Sequence, residues 1–425
     1  MRENFQWKAR YTMLSVLFVT NIVSFMDRMV MSSAIPYISE DYQLGPLQTG
    51  VLLSAFFLSY SIAQVPGGLL VDKFGLRRVA TFAMIWWSFF TAVTGTAATL
   101  TQMVVVRFLF GLGEGVFPSA AFKAVAVWFP KKERATANAV KLASTPLGGA
   151  LAPLFVVAVM SVAGWRAVFY SLFIPGILCT VLFWIFVADK PSDDRRVSAQ
   201  ELAEIEADDA PGPGASQQQT NLAGALRDPQ ILCYFLILFS FDIGYWGFST
   251  WLPTYLVKAR GFSAAQMGVA ASLPFFAATV GCFVGGWVSD RFFSNNRRLP
   301  IMFAQLGAAL LLYLSYQAES VVVLVLCQTL AGFCLSFFTS TFWALPMNTV
   351  PKSLMGVISG LINMAGQVAA FISPILVGYL VGNAGGGFAT TFALLVGSML
   401  VSFALMFTLP RRVKAVQGFP GREVA

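Results

Sequence analysis

The stretch Gly67-Gly68-Leu69-Leu70-Val71-Asp72-Lys73-Phe74-Gly75-Leu76-Arg77-Arg78 joins a long apolar run to a short basic loop. A second copy, Gly285-Gly286-Trp287-Val288-Ser289-Asp290-Arg291, begins 218 residues further along the chain. Asp72 matches Asp290 in this register, and the same offset relates three further identical pairs: Gln48 with Gln266, Gly50 with Gly268 and Ser54 with Ser272. A gap-free register of this kind indicates an internal duplication. We therefore expect two structurally related halves.

The composition is that of a membrane protein. Hydrophobic residues make up 57% of the 425 residues, charged residues only 11%, and the mean hydropathy is +0.71. Apolar runs of about 20 residues, long enough to cross a bilayer, recur along the chain. The first run lacks a small-residue cleavage site and is followed by eleven more, so it does not indicate a secretory signal.

Twelve spans are predicted, six on each side of a polar segment. They are 11–34, 48–71, 79–98, 102–127, 136–161 and 166–188, then 229–256, 264–289, 299–317, 320–348, 354–380 and 387–409. The segment between them is rich in Pro, Gly and charge, and Ser198-Ala199-Gln200-Glu201 predicts a capping box for one short helix within it. The expected fold is an all-α membrane protein with an N-terminal six-helix bundle (1–188), a cytoplasmic linker (189–228) and a C-terminal six-helix bundle (229–425).

The distribution of positive charge predicts the orientation. With the N-terminus inside, 21 of the 28 Lys and Arg residues fall in cytoplasmic segments, three fall outside and four lie within spans. This asymmetry places both termini and the linker in the cytoplasm. The net charge of +8 is thus explained by topology, and we expect no nucleic-acid partner.

The chain contains no histidine, and its cysteines lie singly in apolar runs: Cys179, Cys233, Cys282, Cys327 and Cys334. This pattern predicts neither a metal site nor a disulfide framework. We expect no cofactor, no enzymatic activity and, for any proton chemistry, the use of carboxylates.

Seven ionisable residues lie inside the predicted spans: Asp27, Arg28, Arg107, Glu114, Lys123, Lys141 and Asp242. Each costs about 2.5 kcal/mol or more if it faces lipid, so we expect them to face the bundle interior or a wet cavity. Arg107 and Glu114 are two helical turns apart, and Asp27 and Arg28 lie deep in the first span. If both pairs face the bundle axis, two cations and two carboxylates form one cluster. A purely structural ion-pair role is the alternative.

The duplication singles out this cluster. In the registers set by neighbouring prolines, Asp27 matches Gly244, Arg107 matches Gln328 and Glu114 matches Leu335, whereas the scaffold residue Gly111 matches Gly332. The central charges thus belong to the first half only, which favours a functional role. Lys123 and Lys141 lie nearer the cytoplasmic span ends, where snorkelling to the interface is the alternative.

The duplicated loops predict a gating role for Gly68, Asp72, Arg77, Arg78, Gly286, Asp290 and Arg291. Gly68 permits close helix approach. An aspartate at a span end can accept hydrogen bonds from a neighbouring helix N-terminus in one conformation and lose them in another. A merely packed loop, with basic residues explained by charge bias, is the alternative.

Twelve spans with this loop after the second span resemble the major facilitator superfamily. Several stretches resemble its anion:cation symporter branch, which includes carriers of sugar acids and other organic anions: Phe25-Met26-Asp27-Arg28, Gln64-Val65-Pro66-Gly67-Gly68, Arg107-Phe108-Leu109-Phe110-Gly111-Leu112-Gly113-Glu114, Trp128-Phe129-Pro130-Lys131-Lys132-Glu133-Arg134 and Gly164-Trp165-Arg166. The resemblance covers essentially the whole chain. It implies proton-coupled uptake of a small organic anion by alternating access, by a monomer in a bacterial inner membrane.

The resemblance also implies residue roles. Asp27 and Glu114 would bind protons, Arg107 would exchange partners with them, and Arg28 would meet the acid group of the substrate. The substrate site would further contain Tyr60, Ser340, Trp343 and Asn363, to which we add the mid-span Trp246. Thr145 stands where some members carry glutamine, which favours a short carboxylate or sulfonate, or an aromatic acid, over a long sugar acid.

Two other functions remain open at this stage. Thr145-Pro146-Leu147-Gly148-Gly149 is loosely similar to the motif of drug/proton antiporters, so an efflux antiporter of the same fold is the main alternative. A membrane sensor built on a transporter fold is the other, although the linker is too short and polar to be a sensory domain.

Overall fold

The computed structural model describes residues 7–207, 228–293, 296–350, 355–383 and 387–409, which are helical with short connections. The helices of the first half are α1 (Ala9–Asp41), α2 (Pro46–Phe74), α3 (Leu76–Thr94), α4 (Leu100–Glu114), α5 (Phe117–Trp128), α6 (Lys131–Phe186) and α7 (Ala199–Ala207). Those of the second half are α8 (Pro229–Thr254), α9 (Ala264–Phe292), α10 (Arg298–Gln317), α11 (Val321–Phe342), α12 (Ala344–Thr349), α13 (Met355–Asn383) and α14 (Phe388–Leu405).

The prediction of twelve spans is confirmed. Ten stretches of the described residues are long and apolar enough to cross a membrane. One of them, the 56-residue α6, contains two spans, because Gly164 in its interior has φ 77° and ψ 172° and breaks the helix. The 19-residue α3 supplies the remaining span. The 3₁₀ turn Met406–Thr408 ends the last one.

The chain packs into two compact units. The first contains Met1–Gln43 and Ala55–Ala215, and the second contains Leu44–Ser54 and Ser216–Ala425. The domain limits expected from the sequence, 188 and 229, stay predictions. Of the expected linker, residues 208–227 lie outside the described part of the chain.

A repeated helix contact supports the duplication. In the first unit, a Cβ at Gly111 would lie 2.7 Å from the carbonyl oxygen of Phe56 on α2. In the second unit, a Cβ at Gly332 would overlap the carbonyl oxygen of Pro274 on α9. Since Gly111 matches Gly332 in sequence and Phe56 is 218 residues before Pro274, the same contact recurs at matched places. Small residues let the two backbones approach closely in both units.

The close approach expected at Gly68 occurs one residue earlier, so this detail of the prediction was wrong. A Cβ at Gly67 would lie 2.8 Å from the Cα of Val116, whereas one at Gly68 would meet nothing nearer than 3.7 Å. In the second copy, Gly285 packs on Phe337 and Ser340, whereas Gly286 has open space. The pattern of two adjacent glycines cannot show which of them faces the neighbouring helix, since they point about 100° apart.

Gly75, between α2 and α3, has a structural reason to be glycine. Its φ is 88°, and a Cβ would lie 2.6 Å from a carboxylate oxygen of Asp189. That carboxylate accepts a hydrogen bond of 2.9 Å from the backbone N–H of Arg77, in the first turn of α3. The end of the first half is thereby fastened to the start of α3, where a negative group is favoured.

The short helix predicted in the linker is present as α7, but only half of its capping box forms. The Ser198 hydroxyl accepts from the N–H of Glu201 at 3.1 Å. The Glu201 carboxylate, 3% exposed, instead accepts from the N–H groups of Ala9 and Arg10, at 3.1 and 3.0 Å. It therefore caps α1 rather than its own helix. A local motif cannot reveal this use of the glutamate.

Ion pairs reinforce the docking of α7. Glu204 lies 2.6 Å from the Lys8 ammonium and 3.1 Å from the Arg10 guanidinium. Hydrogen bonding to Lys8, with a smaller contribution from Arg10, holds the pKa of Glu204 below its usual range. The contact is therefore present at neutral pH and is lost only as the pH falls through that lowered pKa.

We predict that Glu201→Ala loosens the start of α1. Loss of a helix cap costs about 1 kcal/mol, so the amides of Ala9 and Arg10 should exchange with solvent roughly fivefold faster. Hydrogen–deuterium exchange of the purified protein measures this directly. Glu206→Ala, which removes an exposed carboxylate from the same helix, is the matched control. Equal exchange in both variants would contradict the capping role.

Candidate functional site

The first unit brings four charged side chains into its interior. Asp27 and Arg28 lie on α1, and Arg107 and Glu114 lie on α4. Asp27, Arg107 and Glu114 are each 1% exposed, and the side chain of Arg28 is 10% exposed. The clustering expected from the sequence is thus present in the structure. With both carboxylates ionised, the cluster carries no net charge.

The cluster contains one direct ion pair. Nη2 of Arg28 donates to Oε1 of Glu114 at 2.8 Å, and the Ser24 hydroxyl donates to the same oxygen at 2.7 Å. The second oxygen of Glu114 has no hydrogen-bond partner among the described residues. Glu114 is thus bonded to the arginine that was expected to meet the substrate.

Arg107 is bonded to neither carboxylate in this structure. It forms no ion pair within 4 Å in the described part of the chain, and its Nε and Nη1 have no hydrogen-bond partners there. Its guanidinium instead lies 4.2 Å from the ring centroid of Phe110. The exchange of Arg107 between Asp27 and Glu114 stays a prediction.

Aromatic rings surround Arg28. Its guanidinium carbon lies 4.5 Å from the centroid of Tyr60, 4.8 Å from that of Phe56 and 5.2 Å from that of Phe25. Phe56 also lies 5.7 Å from the guanidinium of Arg107, so one ring contacts both arginines. These contacts stabilise the cation without neutralising it, which leaves its charge available to an anion.

Sequence reasoning identified Tyr60 but missed Phe25 and Phe56. Spacing does place both rings on the same helix faces as site residues, since Phe56 lies one turn before Tyr60 on α2 and Phe25 lies one turn before Arg28 on α1. In a chain with 40 phenylalanines, spacing alone does not separate such rings from ordinary packing.

Asp27 has the least support of the four charges. Neither carboxylate oxygen has a hydrogen-bond partner among the described residues. Thr91 of α3 lies beside Asp27, but its hydroxyl does not form a hydrogen bond with the carboxylate. The charges of Glu114 and Arg107 both act on Asp27. A buried carboxylate without donors is costly when ionised, so Asp27 is suited to carry a proton. Sequence reasoning missed Thr91, a polar residue of an apolar helix.

Thr145 lies on α6, where Asn21 of α1 joins the two helices. The Asn21 amide donates to the Thr145 hydroxyl at 3.0 Å, to the Ser144 hydroxyl at 2.7 Å and to the carbonyl of Lys141 at 3.3 Å. Asn21 is two turns before Arg28 on the same face of α1. Asn21 and Ser144 are therefore polar interior residues, about 10 Å along α1 from Arg28, that the sequence analysis did not name.

The remaining predicted substrate residues lie in the second unit. Trp246 on α8 is 8% exposed and meets Tyr245 edge-on at 5.2 Å. Trp343, between α11 and α12, meets Phe342 edge-on at 5.9 Å. Ser340 donates to the Phe337 carbonyl at 3.1 Å, and Asn363 lies on α13. Their part in binding stays a prediction.

The second unit also places a carboxylate at a helix seam. Asp242 on α8 packs against Gly366 of α13, where any Cβ would overlap it. No cation lies within 4 Å of Asp242 in the described residues. Gln367, the next residue on α13, has a buried side-chain oxygen that accepts no hydrogen bond from the described residues.

The expected gating residues have defined surroundings. Asp72 pairs with Lys123 at 2.7 Å, and Asp290 pairs with Arg297 at 2.8 Å. Arg77 lies over the Trp184 ring at 4.3 Å and donates to the Trp184 carbonyl. Among the described residues, Asp72 thus bonds Lys123 rather than a helix N-terminus, and it is Asp189 that caps α3. Arg78 and Arg291 are exposed.

The first unit thus holds two protonatable carboxylates and two arginines among aromatic rings, inside membrane-spanning helices. No group of three or more metal-ligating side chains occurs in the described residues. An arginine bonded to a carboxylate can exchange that partner for another acid group, and the released carboxylate can take up a proton.

The twelve-span fold and its buried charge cluster define a membrane transporter. The family model of the Major Facilitator Superfamily matches residues 17–374. The chain belongs to this superfamily, whose members are transporters and not enzymes.

Named relatives agree with this assignment. The chain is 33% identical over 386 residues to a probable sulfoacetate transporter of Cupriavidus necator, with 89% of each chain covered. It is 31% identical over 398 residues to a probable galactarate/D-glucarate transporter of Escherichia coli, with 88% of each covered. In fold it is similar to a D-xylose–proton symporter structure, with a TM-score of 0.76 at 16% identity, covering 96% of this chain and 99% of the other.

We predict that the buried pair is strongly coupled and the loop pair weakly. In a double-mutant cycle, Arg28→Met and Glu114→Gln should show a coupling free energy of about 3 kcal/mol, because each single change strands a buried charge. The cycle of Lys123→Met and Asp72→Asn, an exposed pair, should give less than about 1 kcal/mol. Denaturant unfolding in detergent measures both. Equal coupling in the two cycles would contradict the described geometry.

Proposed function

We propose that the protein is a proton-coupled symporter that takes up a small organic anion, and that Arg28 binds the acid group. The observation that carries the proposal is the Arg28–Glu114 pair, which is buried, enclosed by rings and adjacent to a second carboxylate. An incoming carboxylate or sulfonate can form the same charge-assisted hydrogen bonds that Glu114 now forms.

Coupling follows from this competition. When the substrate occupies Arg28, Glu114 loses its cationic partner and binds a proton more readily. Asp27, which has no hydrogen-bond donor among the described residues, is the second proton carrier. Arg107 remains as a permanent cation whose charge acts on both carboxylates and offsets whichever of them is ionised.

The energetics favour uptake. A dianion such as sulfoacetate that enters with two protons moves no net charge and is driven by the proton gradient alone, whereas a monoanion that enters with two protons moves one net positive charge inward. The membrane potential then contributes about 2.3 kcal/mol per charge per 100 mV. The two halves alternate access to a site near the midplane, as in other transporters built from repeats.

The substrate class rests on the relatives and on Thr145. One relative is described as a sulfoacetate carrier and another as a galactarate or glucarate carrier. Thr145 already accepts from Asn21, and its short side chain lacks the amide that would bind a polyol chain. This favours a short carboxylate or sulfonate, such as sulfoacetate, over a six-carbon sugar acid.

We further propose a bacterial inner-membrane location with both termini in the cytoplasm. The proposal is supported by the positive charge on that side of the spans and by the bacterial relatives. A monomer is the proposed working unit, since one chain supplies all four charges of the cluster.

We predict that Glu114→Gln and Asp27→Asn each abolish accumulation driven by a pH gradient. Both variants should retain part of the substrate counterflow exchange, because exchange requires no net proton movement. Uptake of labelled sulfoacetate and D-glucarate into proteoliposomes measures both processes.

The control is Glu319→Gln, an exposed carboxylate of the second half, which should behave like the unmodified protein. Full gradient-driven accumulation by both cluster variants would overturn the proposed coupling.

A further inference from the structure

Lys141 is a buried cation that the proposed mechanism does not use. It lies ten residues into α6, about 15 Å from the start of that helix, and is 3% exposed. Its ammonium nitrogen is 3.2 Å from the ring centroid of Phe122 on α5. A lysine that snorkels to the interface keeps its amine in water, and Lys141 does not.

No counter-ion accompanies this lysine. Within the described residues, no carboxylate oxygen lies within 4 Å of its nitrogen, whereas Lys123 on the neighbouring helix is paired with Asp72. The four charges of the cluster balance one another, so the cluster offers no spare carboxylate to neutralise Lys141 when its amine is protonated. The Phe122 ring offsets only part of the cost of burial.

The backbone at Lys141 is joined to α1 by a polar contact. Lys141 is one turn before Thr145 on α6, and Asn21 contacts both the Thr145 hydroxyl and the Lys141 carbonyl. Asn21 is in turn two turns before Arg28 on α1. The line from Arg28 through Asn21 to Lys141 therefore leads towards the starts of α1 and α6, the end of the bundle proposed to face the cytoplasm.

We propose that Lys141 is a second anion-binding site, at which the transported carboxylate or sulfonate is held after it leaves Arg28 and before it reaches the cytoplasm. This inference rests on the proposed function, since it names the exit station of the same anion. An anion at Lys141 supplies the missing counter-charge. Its departure from Arg28 also lets Glu114 recover its partner and release its proton.

The first experiment measures anion binding without transport. In an Arg28→Ala background, inorganic sulfate should raise the thermal unfolding temperature, because Lys141 remains as an anion site. The shift should be lost in Arg28→Ala/Lys141→Met. It should be retained in Arg28→Ala/Lys131→Met, which removes an exposed lysine of the same helix. A shift that is absent from the background, or equal in both double variants, would overturn the site.

The second experiment uses the otherwise unmodified chain and asks whether the site lies on the exit path. In inside-out vesicles, Lys141→Met should raise the KM for sulfoacetate about tenfold, whereas in right-side-out vesicles it should change the KM less than twofold. Lys141→Arg, which keeps the charge, should restore the cytoplasmic KM, and Lys131→Met should leave both values unchanged.

The outcomes separate the two proposals. Lys141→Met could instead change the KM by the same factor on both sides of the membrane, or sulfate could bind without any effect of the substitution on sulfoacetate kinetics. Either result would reduce Lys141 to an adventitious anion site and overturn the exit station. Failure of the unmodified protein to transport organic acids, with sulfate still bound at Lys141, would overturn the proposed function and with it the exit role, but not the anion site.

Discussion

The ion pair between Arg28 and Glu114 is the interaction on which the first unit depends. Two charges buried among membrane-spanning helices are stable only when their geometry is good and other donors complete it. Ser24 and the rings of Phe25, Phe56 and Tyr60 provide that completion. The pair joins α1 to α4, and the glycine contact of α4 on α2 brings the rings to the arginine. The contacts that hold α1, α2 and α4 together therefore lie at the charged candidate site itself.

Much of the fold follows from the sequence, because a bilayer restricts what the backbone can do. Apolar length and the positive-inside bias predict spans and orientation, and the duplicated loop predicts two related halves. The interruptions were not predictable in the same way. The break between α4 and α5 depends on local packing. The π-helical turn Tyr255–Ala259 follows Pro253, which has no backbone N–H to donate to the helix.

The membership of the candidate site was easier to predict than its pairing. Asp27, Arg28, Arg107 and Glu114 stand out because ionisable residues are rare in spans and because the second half lacks them. Which arginine bonds which carboxylate depends on side-chain rotamers and on neighbours from other helices, which spacing along one helix does not contain. For the same reason Gly67 rather than Gly68 makes the close contact, and Glu201 caps a helix distant in sequence.

The central claim is that an acid group on Arg28 displaces Glu114, which then takes up a proton. The most direct measurement is the proton balance of binding: sulfoacetate is added to the purified protein in weakly buffered detergent solution at neutral pH, and a pH indicator is followed. The account predicts net proton uptake on binding, reduced or lost in Glu114→Gln. Binding with no proton exchange, or with proton release, would contradict it.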